Sequence, residues 1–101
     1  MKSTIIAGLL MLASATGVRA QDTTVEIQHF MFKMDVTVTP GSTVTWKNLD
    51  GEPHTVASID GLFRSKGLDE GDTYSFKFDK PGVYKYICSI HPSMRATVTV
   101  K

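Results

Sequence analysis

Apolar and polar residues alternate from residue 21 onward, in short runs that end at turn signals. In one run Val44 and Trp46 share a phase, while Thr43 and Thr45 occupy the other. Successive side chains of a β-strand point to opposite faces, so this alternation predicts strands with one buried face. The same pattern recurs in four more runs, whose predicted inward pairs are Val36 and Val38, Phe76 and Phe78, Tyr84 and Tyr86, and Val98 and Val100.

Turn signals separate these runs at intervals of about ten residues, a rhythm typical of an all-β sandwich or barrel. They are Pro40-Gly41, Asp50-Gly51, Asp60-Gly61, Gly71-Asp72 and Pro81-Gly82. No sustained helical period, internal repeat or linker interrupts this part of the sequence. We therefore expect a single all-β domain over residues 21–101, built from about seven to eight short strands.

The first run changes phase along its length. Val25 and Ile27 share one phase, whereas Phe30 and Phe32 fall in the other. One extra residue would restore the alternation, so we expect a bulge near Gln28 or His29. In that interpretation His29 is an exposed strand residue.

Residues 1–20 have the pattern of a secretory signal peptide. Lys2 supplies a positive start, an apolar stretch runs from Ile5 to Ala15, and Val18-Arg19-Ala20 suits cleavage after Ala20. The apolar stretch is shorter than the roughly 18 residues that a transmembrane helix needs. We expect a mature chain of residues 21–101 that is exported to the periplasm without membrane insertion.

The charge balance argues against nucleic-acid binding, and the single cysteine argues for a bound metal. Removing Lys2 and Arg19 leaves nine basic and ten acidic side chains, with no basic run of the kind that binds nucleic acid. One cysteine cannot form a disulfide within the chain. Because small domains often rely on a disulfide or a metal for stability, a bound metal is the remaining candidate.

The candidate chemistry lies in Cys88-Ser89-Ile90-His91-Pro92-Ser93-Met94, which holds a thiolate, an imidazole and a thioether within seven residues. Cys88 ends one inward-facing row, Met94 begins another, and His54 offers a second imidazole at the start of a third. Two histidines and one cysteine with a weak axial methionine form the ligand set of blue-copper sites. Methionine is a poor zinc ligand, and a c-type haem would need Cys-x-x-Cys-His.

Each candidate ligand could instead be an ordinary residue without a metal-binding role. Cys88 could be a buried thiol, His54 and His91 solvated loop residues, and Met94 an ordinary core side chain. If His54 is not a ligand, His29 is the only substitute. Two further polar residues, Asn48 and Thr55, either brace the ligand loops and donate to the thiolate or are ordinary turn and strand residues.

Several segments together resemble the cupredoxin family, most closely its small amicyanin-like members and, more broadly, pseudoazurin and plastocyanin types. They are Thr43-Val44-Thr45-Trp46-Lys47-Asn48, Pro53-His54-Thr55-Val56, Pro81-Gly82-Val83-Tyr84-Lys85-Tyr86-Ile87-Cys88 and His91-Pro92-Ser93-Met94-Arg95. The resemblance implies a Greek-key β-sandwich with one type 1 copper per chain. It implies His54, Cys88 and His91 as equatorial ligands and Met94 as the axial ligand.

The resemblance also implies a function, namely one-electron transfer between exported redox partners, such as a dehydrogenase donor and a c-type cytochrome acceptor. We expect a monomer that is not an enzyme, since copper enzymes with such domains need a second metal centre and only His29 is left over. Partner docking is expected at an apolar zone around His91, with Pro53, Pro92 and either Leu62 or Met31. Two alternatives stay open: a periplasmic copper-binding or copper-delivery protein with the same site, and a metal-free β-sandwich interaction module.

Overall fold

A computed structural model describes residues 21–101 and contains eight β-strands. In chain order they are β1 (Thr23–Gln28), β2 (Met31–Phe32), β3 (Val36–Val38), β4 (Ser42–Asn48), β5 (Ala57–Ser58), β6 (Thr73–Phe78), β7 (Gly82–Ile87) and β8 (Arg95–Val100). The predicted all-β class and strand number are confirmed. The predicted signal peptide lies outside the described residues. Within those residues no helix is long and apolar enough to cross a membrane.

The strands form two four-stranded sheets. Their orders are β2-β1-β4-β6 in the first sheet and β3-β8-β7-β5 in the second. Two pairs are parallel, β1 with β4 and β3 with β8, and the remaining pairs are antiparallel. Parallel neighbours need a crossover connection, and here the chain supplies it by passing between the sheets. This arrangement confirms the Greek-key sandwich.

Both sheets bury the faces that the alternation predicts. In β4, Val44 and Trp46 are fully buried while Lys47 is exposed, and in β8 the residues Ala96, Val98 and Val100 are buried. The Trp46 indole lies at the centre of the core and stacks on Phe63 at 5.7 Å between ring centroids. Each aromatic ring buries a large area, so the stacked Trp46 and Phe63 rings contribute much of the apolar surface that this small domain buries.

The predicted bulge near Gln28 or His29 is wrong, because the first run is two strands joined by a tight turn. Ile27 pairs with Phe32 in antiparallel register, and His29 and Phe30 form the turn with φ of 58° and 57°. A hairpin reverses the chain, which explains the change of phase. Left-handed backbone costs a non-glycine residue roughly 1–2 kcal/mol, so this turn needs support from elsewhere.

His54 is buried in phase with Val56, as predicted, but no strand begins at this histidine. Its backbone forms an isolated bridge with Leu68, with the His54 N–H donating over 3.1 Å and the Leu68 N–H donating back over 2.7 Å. The strand β5 starts only at Ala57. Two backbone hydrogen bonds thus hold the histidine in an otherwise irregular segment.

Candidate metal centre

Three side chains with metal-binding atoms converge at one end of the sandwich. Cys88 directly follows β7, His91 lies in the loop before β8, and His54 lies between β4 and β5. The Cys88 Sγ is 3.8 Å from Nδ1 of His54 and 3.8 Å from Nδ1 of His91. The three candidate ligand atoms all lie within 4.8 Å of one another. Cys88 and His54 are buried, while His91 is partly exposed.

The loop between β7 and β8 is closed by its own backbone. The Met94 N–H donates to the His91 carbonyl over 2.9 Å, and the Cys88 N–H donates to the Met94 carbonyl over 3.1 Å. Pro92 is the second residue of the resulting turn, where its fixed φ fits a β-turn. The loop therefore brings Met94, whose side chain is buried, back beside Cys88, just before β8 begins.

The Cys88 thiol lies in surroundings that favour its anion. Burial raises its pKa, but hydrogen bonds from the Thr55 N–H and from His91 outweigh burial and lower the pKa to about 6. The Thr55 nitrogen is 3.4 Å from the sulfur, and the Thr55 hydroxyl is 3.9 Å from it. Because metals bind the thiolate rather than the thiol, the site favours the form of cysteine that coordinates an ion.

Asn48 braces the segment that carries His54. Its Nδ2 donates to the carbonyls of Glu52 and Leu68 over 2.9 Å and 2.8 Å, and its Oδ1 accepts the Asp50 N–H over 2.9 Å. The predicted bracing role is therefore confirmed for Asn48, but its predicted donation to the thiolate is wrong, because its Nδ2 group donates to two backbone carbonyls instead.

Thr55 both braces the site and donates to the sulfur, as predicted. Its Oγ1 accepts the Ser89 N–H over 2.7 Å and forms a 2.7 Å hydrogen bond with the Ser89 hydroxyl. The first residue of the Cys88 loop is thereby tied to the residue that follows His54. Hydrogen-bonded outer residues of this kind fix the orientation of metal ligands.

Asp50 fixes the tautomer of His54. Partial burial raises the pKa of Asp50, but hydrogen bonds from the Phe30 N–H, His54 and the His29 N–H outweigh it and hold the pKa below its usual value. An ionised carboxylate only accepts hydrogen bonds, so His54 Nε2, at 2.9 Å from Asp50 Oδ2, carries the proton. The Nδ1 lone pair of His54 is then free to face Cys88.

Sequence reasoning identified Asp50 only as a turn signal and did not assign it to the site. Its position four residues before His54 was the available sign, but a carboxylate at that spacing in a loop has no fixed geometry. The structure, by contrast, shows its carboxylate in contact with His54.

Phe30 is a second residue that sequence reasoning missed. Its ring packs edge-on against the imidazoles of His54 and His91, at centroid distances of 5.0 Å and 4.9 Å. The ring remains 45% exposed. The phase change in the first run pointed to an irregularity here, but only the turn geometry shows where the ring goes.

The remaining predicted neighbours divide between two places. Pro53 and Pro92, which adjoin His54 and His91 in the chain, are exposed, and so is Met31, which follows Phe30. Leu62 instead lines a separate cavity of about 180 Å³ with Phe76, Phe78 and Tyr84, so its predicted place beside His91 is wrong. His29 is in the turn rather than in a strand, and it lies outside the group of converging ligand atoms.

The spacing of the ligand atoms suits a first-row metal. Bonds of about 2.0 Å to nitrogen and about 2.3 Å to sulfur, opened to a trigonal angle, separate N and S by about 3.7 Å. Both observed S–N distances are 3.8 Å. One thiolate and two imidazoles with a buried methionine alongside also match the softness that copper prefers. The residues present therefore fit a copper ion.

Comparisons with known proteins agree with this geometry. The profile of a family described as copper binding proteins, plastocyanin/azurin family, matches residues 19–101. Amicyanin-alpha from Methylorubrum extorquens is 38% identical over 88 residues, which span 81% of this chain and 74% of that protein.

Solved structures give the same picture. A novel purple cupredoxin from Nitrosopumilus maritimus superimposes with a TM-score of 0.74 at 35% identity, over 79% of this chain and all of that one. A copper-containing nitrite reductase from Thermus scotoductus also reaches 0.74 at 32% identity, but the match spans only 22% of that enzyme. This chain is thus similar to only one part of that larger enzyme.

Proposed function

Because the chain belongs to the plastocyanin/azurin family of copper-binding proteins, we propose that it carries single electrons between redox partners in the periplasm. Its cofactor is one type 1 copper ion. We propose His54, Cys88 and His91 as the equatorial ligands and Met94 as the axial ligand. The observation that supports this assignment most strongly is the convergence of Cys88 Sγ with the two histidine Nδ1 atoms at 3.8 Å.

Copper held by these ligands supplies one-electron chemistry. The chain itself holds the ligands in place before any ion arrives: Asn48 braces the His54 segment, and Thr55 ties it to the Cys88 loop. A scaffold hydrogen-bonded in this way keeps one geometry in both oxidation states. That property suits a carrier that gains and loses electrons without chemical turnover.

Electrons are proposed to pass through the surface around His91, the partly exposed imidazole. The exposed ring of Phe30 packs against His91, and the exposed side chains of Met31 and Ile90 belong to the residues that follow Phe30 and precede His91 in the chain. Such a surface suits transient docking of another redox protein. We propose a dehydrogenase as donor and a c-type cytochrome as acceptor, with the carrier itself a monomer and not an enzyme. We propose that residues 1–20 are a signal peptide that directs export and is cleaved after Ala20.

Copper delivery is the alternative function for the same site. A delivery protein must release its ion readily, whereas a carrier retains it in both oxidation states. Copper transfer to a chelator, measured for the oxidised and the reduced protein, separates the two. Retention in both states supports the carrier, and rapid loss from either state favours delivery.

The first experiment is the visible spectrum of the purified protein after addition of Cu(II), before and after a mild reductant. We expect an intense band that bleaches on reduction and returns on oxidation. Because one solved relative is named a purple cupredoxin, the whole visible range is recorded rather than the blue band alone.

Two variants make that spectrum decisive. Cys88→Ser should abolish the intense colour, since the thiolate is the ligand responsible for it. His29→Ala should leave it unchanged, because His29 lies outside the converging group. A Cys88→Ser protein that keeps the band, or a wild-type protein that never develops one, would refute the assignment.

A further inference from the structure

The His29–Phe30 turn is built against the local preference of its residues. Two-residue hairpin turns with positive φ at both positions favour sequences such as Asn-Gly, yet two bulky residues occupy this turn. The Asp50 carboxylate supports it: Oδ1 accepts the His29 N–H over 2.8 Å, and Oδ2 accepts the Phe30 N–H over 2.9 Å. The chain thus keeps an aromatic side chain where glycine would be less strained.

The Phe30 ring held by this turn packs together with the imidazole rings of His54 and His91. Phe30 packs edge-on against both imidazoles, and the centroids of the His54 and His91 rings are themselves 5.1 Å apart. The same Oδ2 atom of Asp50 that accepts the Phe30 N–H also lies 2.9 Å from His54 Nε2. One carboxylate therefore reaches His54 by a hydrogen bond and reaches His91 through the ring of Phe30.

We propose that Asp50 and Phe30 are positioning residues that orient the two imidazoles as one unit, with Asp50 acting on His91 through Phe30. The proposal rests on the proposed function, in which both histidines bind copper. His54 is buried and held by its backbone bridge, whereas His91 is partly exposed on a loop. Phe30 supplies the packing that keeps the His91 ring from rotating.

The metal-free protein tests this coupling without any contribution from copper. Nuclear Overhauser contacts between the ring protons of Phe30 and His91 are measured in the wild type and in Asp50→Asn. Asparagine has only one acceptor oxygen, so in either orientation its NH2 group faces a donor: the His29 N–H at one position, or the Phe30 N–H and His54 at the other. We expect the Phe30–His91 contacts to be strong in the wild type and largely lost in Asp50→Asn. If they persist in a folded Asp50→Asn protein, Asp50 does not act through the turn and the proposal is wrong.

A pair of glycine variants separates the ring from the turn. Phe30→Gly and His29→Gly both place glycine at a positive φ and relieve the same backbone strain, but only the first removes the ring from the imidazoles. We expect copper affinity to fall about 10–100-fold in Phe30→Gly, the range for outer residues that orient ligands, and to be unchanged in His29→Gly. Equal affinity in the two glycine variants would overturn the proposal.

The visible spectrum and the reduction potential of the copper-loaded protein separate a failure of the proposed function from a failure of the positioning role. A wild-type protein that develops no intense visible band refutes the proposed function, whatever Phe30 does. A coloured wild type whose band position and reduction potential are unchanged by Phe30→Gly and Asp50→Asn refutes the positioning role alone. A coloured wild type in which both variants shift the potential, while His29→Gly does not, supports it.

Discussion

The indole Nε1 of Trp46 donates a 3.0 Å hydrogen bond to the hydroxyl of Tyr86, and both side chains are buried. Trp46 lies in β4 of the first sheet and Tyr86 in β7 of the second, so this bond joins the two layers through the core. Their rings also pack edge-on at 5.3 Å. Tyr86 lies two residues before Cys88, which places this link directly beneath the metal centre.

Removal of the Tyr86 hydroxyl should destabilise the protein. Tyr86→Phe leaves the Trp46 N–H buried without its partner, and an unsatisfied buried donor costs about 1–3 kcal/mol. Urea denaturation of the metal-free protein measures the loss in the free energy of unfolding. Tyr84→Phe is the matched control: Tyr84 lies in the same strand and phase, but its hydroxyl donates to the Lys80 carbonyl near the surface. A loss no larger than that of the control would contradict the role assigned to the buried bond.

Alkaline pH should weaken the fold through the same hydroxyl. Burial raises the pKa of Tyr86 well above its usual value, although the hydrogen bond from Trp46 lowers it in part. A group whose pKa is higher in the folded than in the unfolded chain contributes stability that is complete below about pH 10 and is lost as the pH rises. The free energy of unfolding should therefore fall by up to about 1.4 kcal/mol per pH unit above that point, from this residue alone. Tyr86→Phe should show a shallower decline, and parallel curves would exclude Tyr86 as the cause.

The Thr55 hydroxyl should matter more than its methyl group. Thr55→Val removes the acceptor of the Ser89 N–H, so we expect the free energy of unfolding to fall by about 1–3 kcal/mol and the copper spectrum to shift. Thr55→Ser keeps the hydroxyl and should stay close to the wild type. Both variants retain the Thr55 N–H that faces the sulfur. Equal losses in the two variants would show that packing, rather than the hydroxyl, holds the Cys88 loop.

The metal-free thiol should ionise at unusually low pH. The pKa of Cys88 is lowered to about 6 because the Thr55 N–H and His91 stabilise the thiolate more than burial opposes it. The ultraviolet absorption of the thiolate, followed against pH with Cys88→Ser as the blank, should show a midpoint near this value.

Stability should follow the same ionisation. Since the folded pKa lies below the unfolded one, this residue contributes stability that is complete above about pH 9 and is lost as the pH falls through about 6. A Cys88→Ser protein should lack this dependence. A thiol midpoint at the ordinary value would contradict both expectations.

The sequence predicted those parts of the molecule that depend on local pattern. Alternation located the buried faces, as at Val44 and Trp46, because a strand between a core and solvent has a strict two-residue period. The short loop from Cys88 to Met94 was also predictable, since its length and Pro92 limit its possible conformations.

The missed features depend on contacts between segments that are distant in the sequence. Asp50 supports a turn about twenty residues earlier in the chain, and Phe30 meets His91 from another sheet. The alternation could show that the first run changes phase, but a bulge and a hairpin change it equally. Only the pairing of Ile27 with Phe32 distinguishes them.

The lengths of the outer strands have a consequence for solubility. Three of the four sheet edges are formed by strands of only two or three residues, namely β2, β3 and β5. Short edges offer few unpaired backbone groups to another chain, so they discourage edge-to-edge aggregation. The fourth edge, β6, has six residues and carries Lys77, a charge of the kind that blunts an exposed strand. Among the described strands, β6 is therefore the edge at which intermolecular pairing would begin. The charge of Lys77 opposes such pairing when the protein is concentrated.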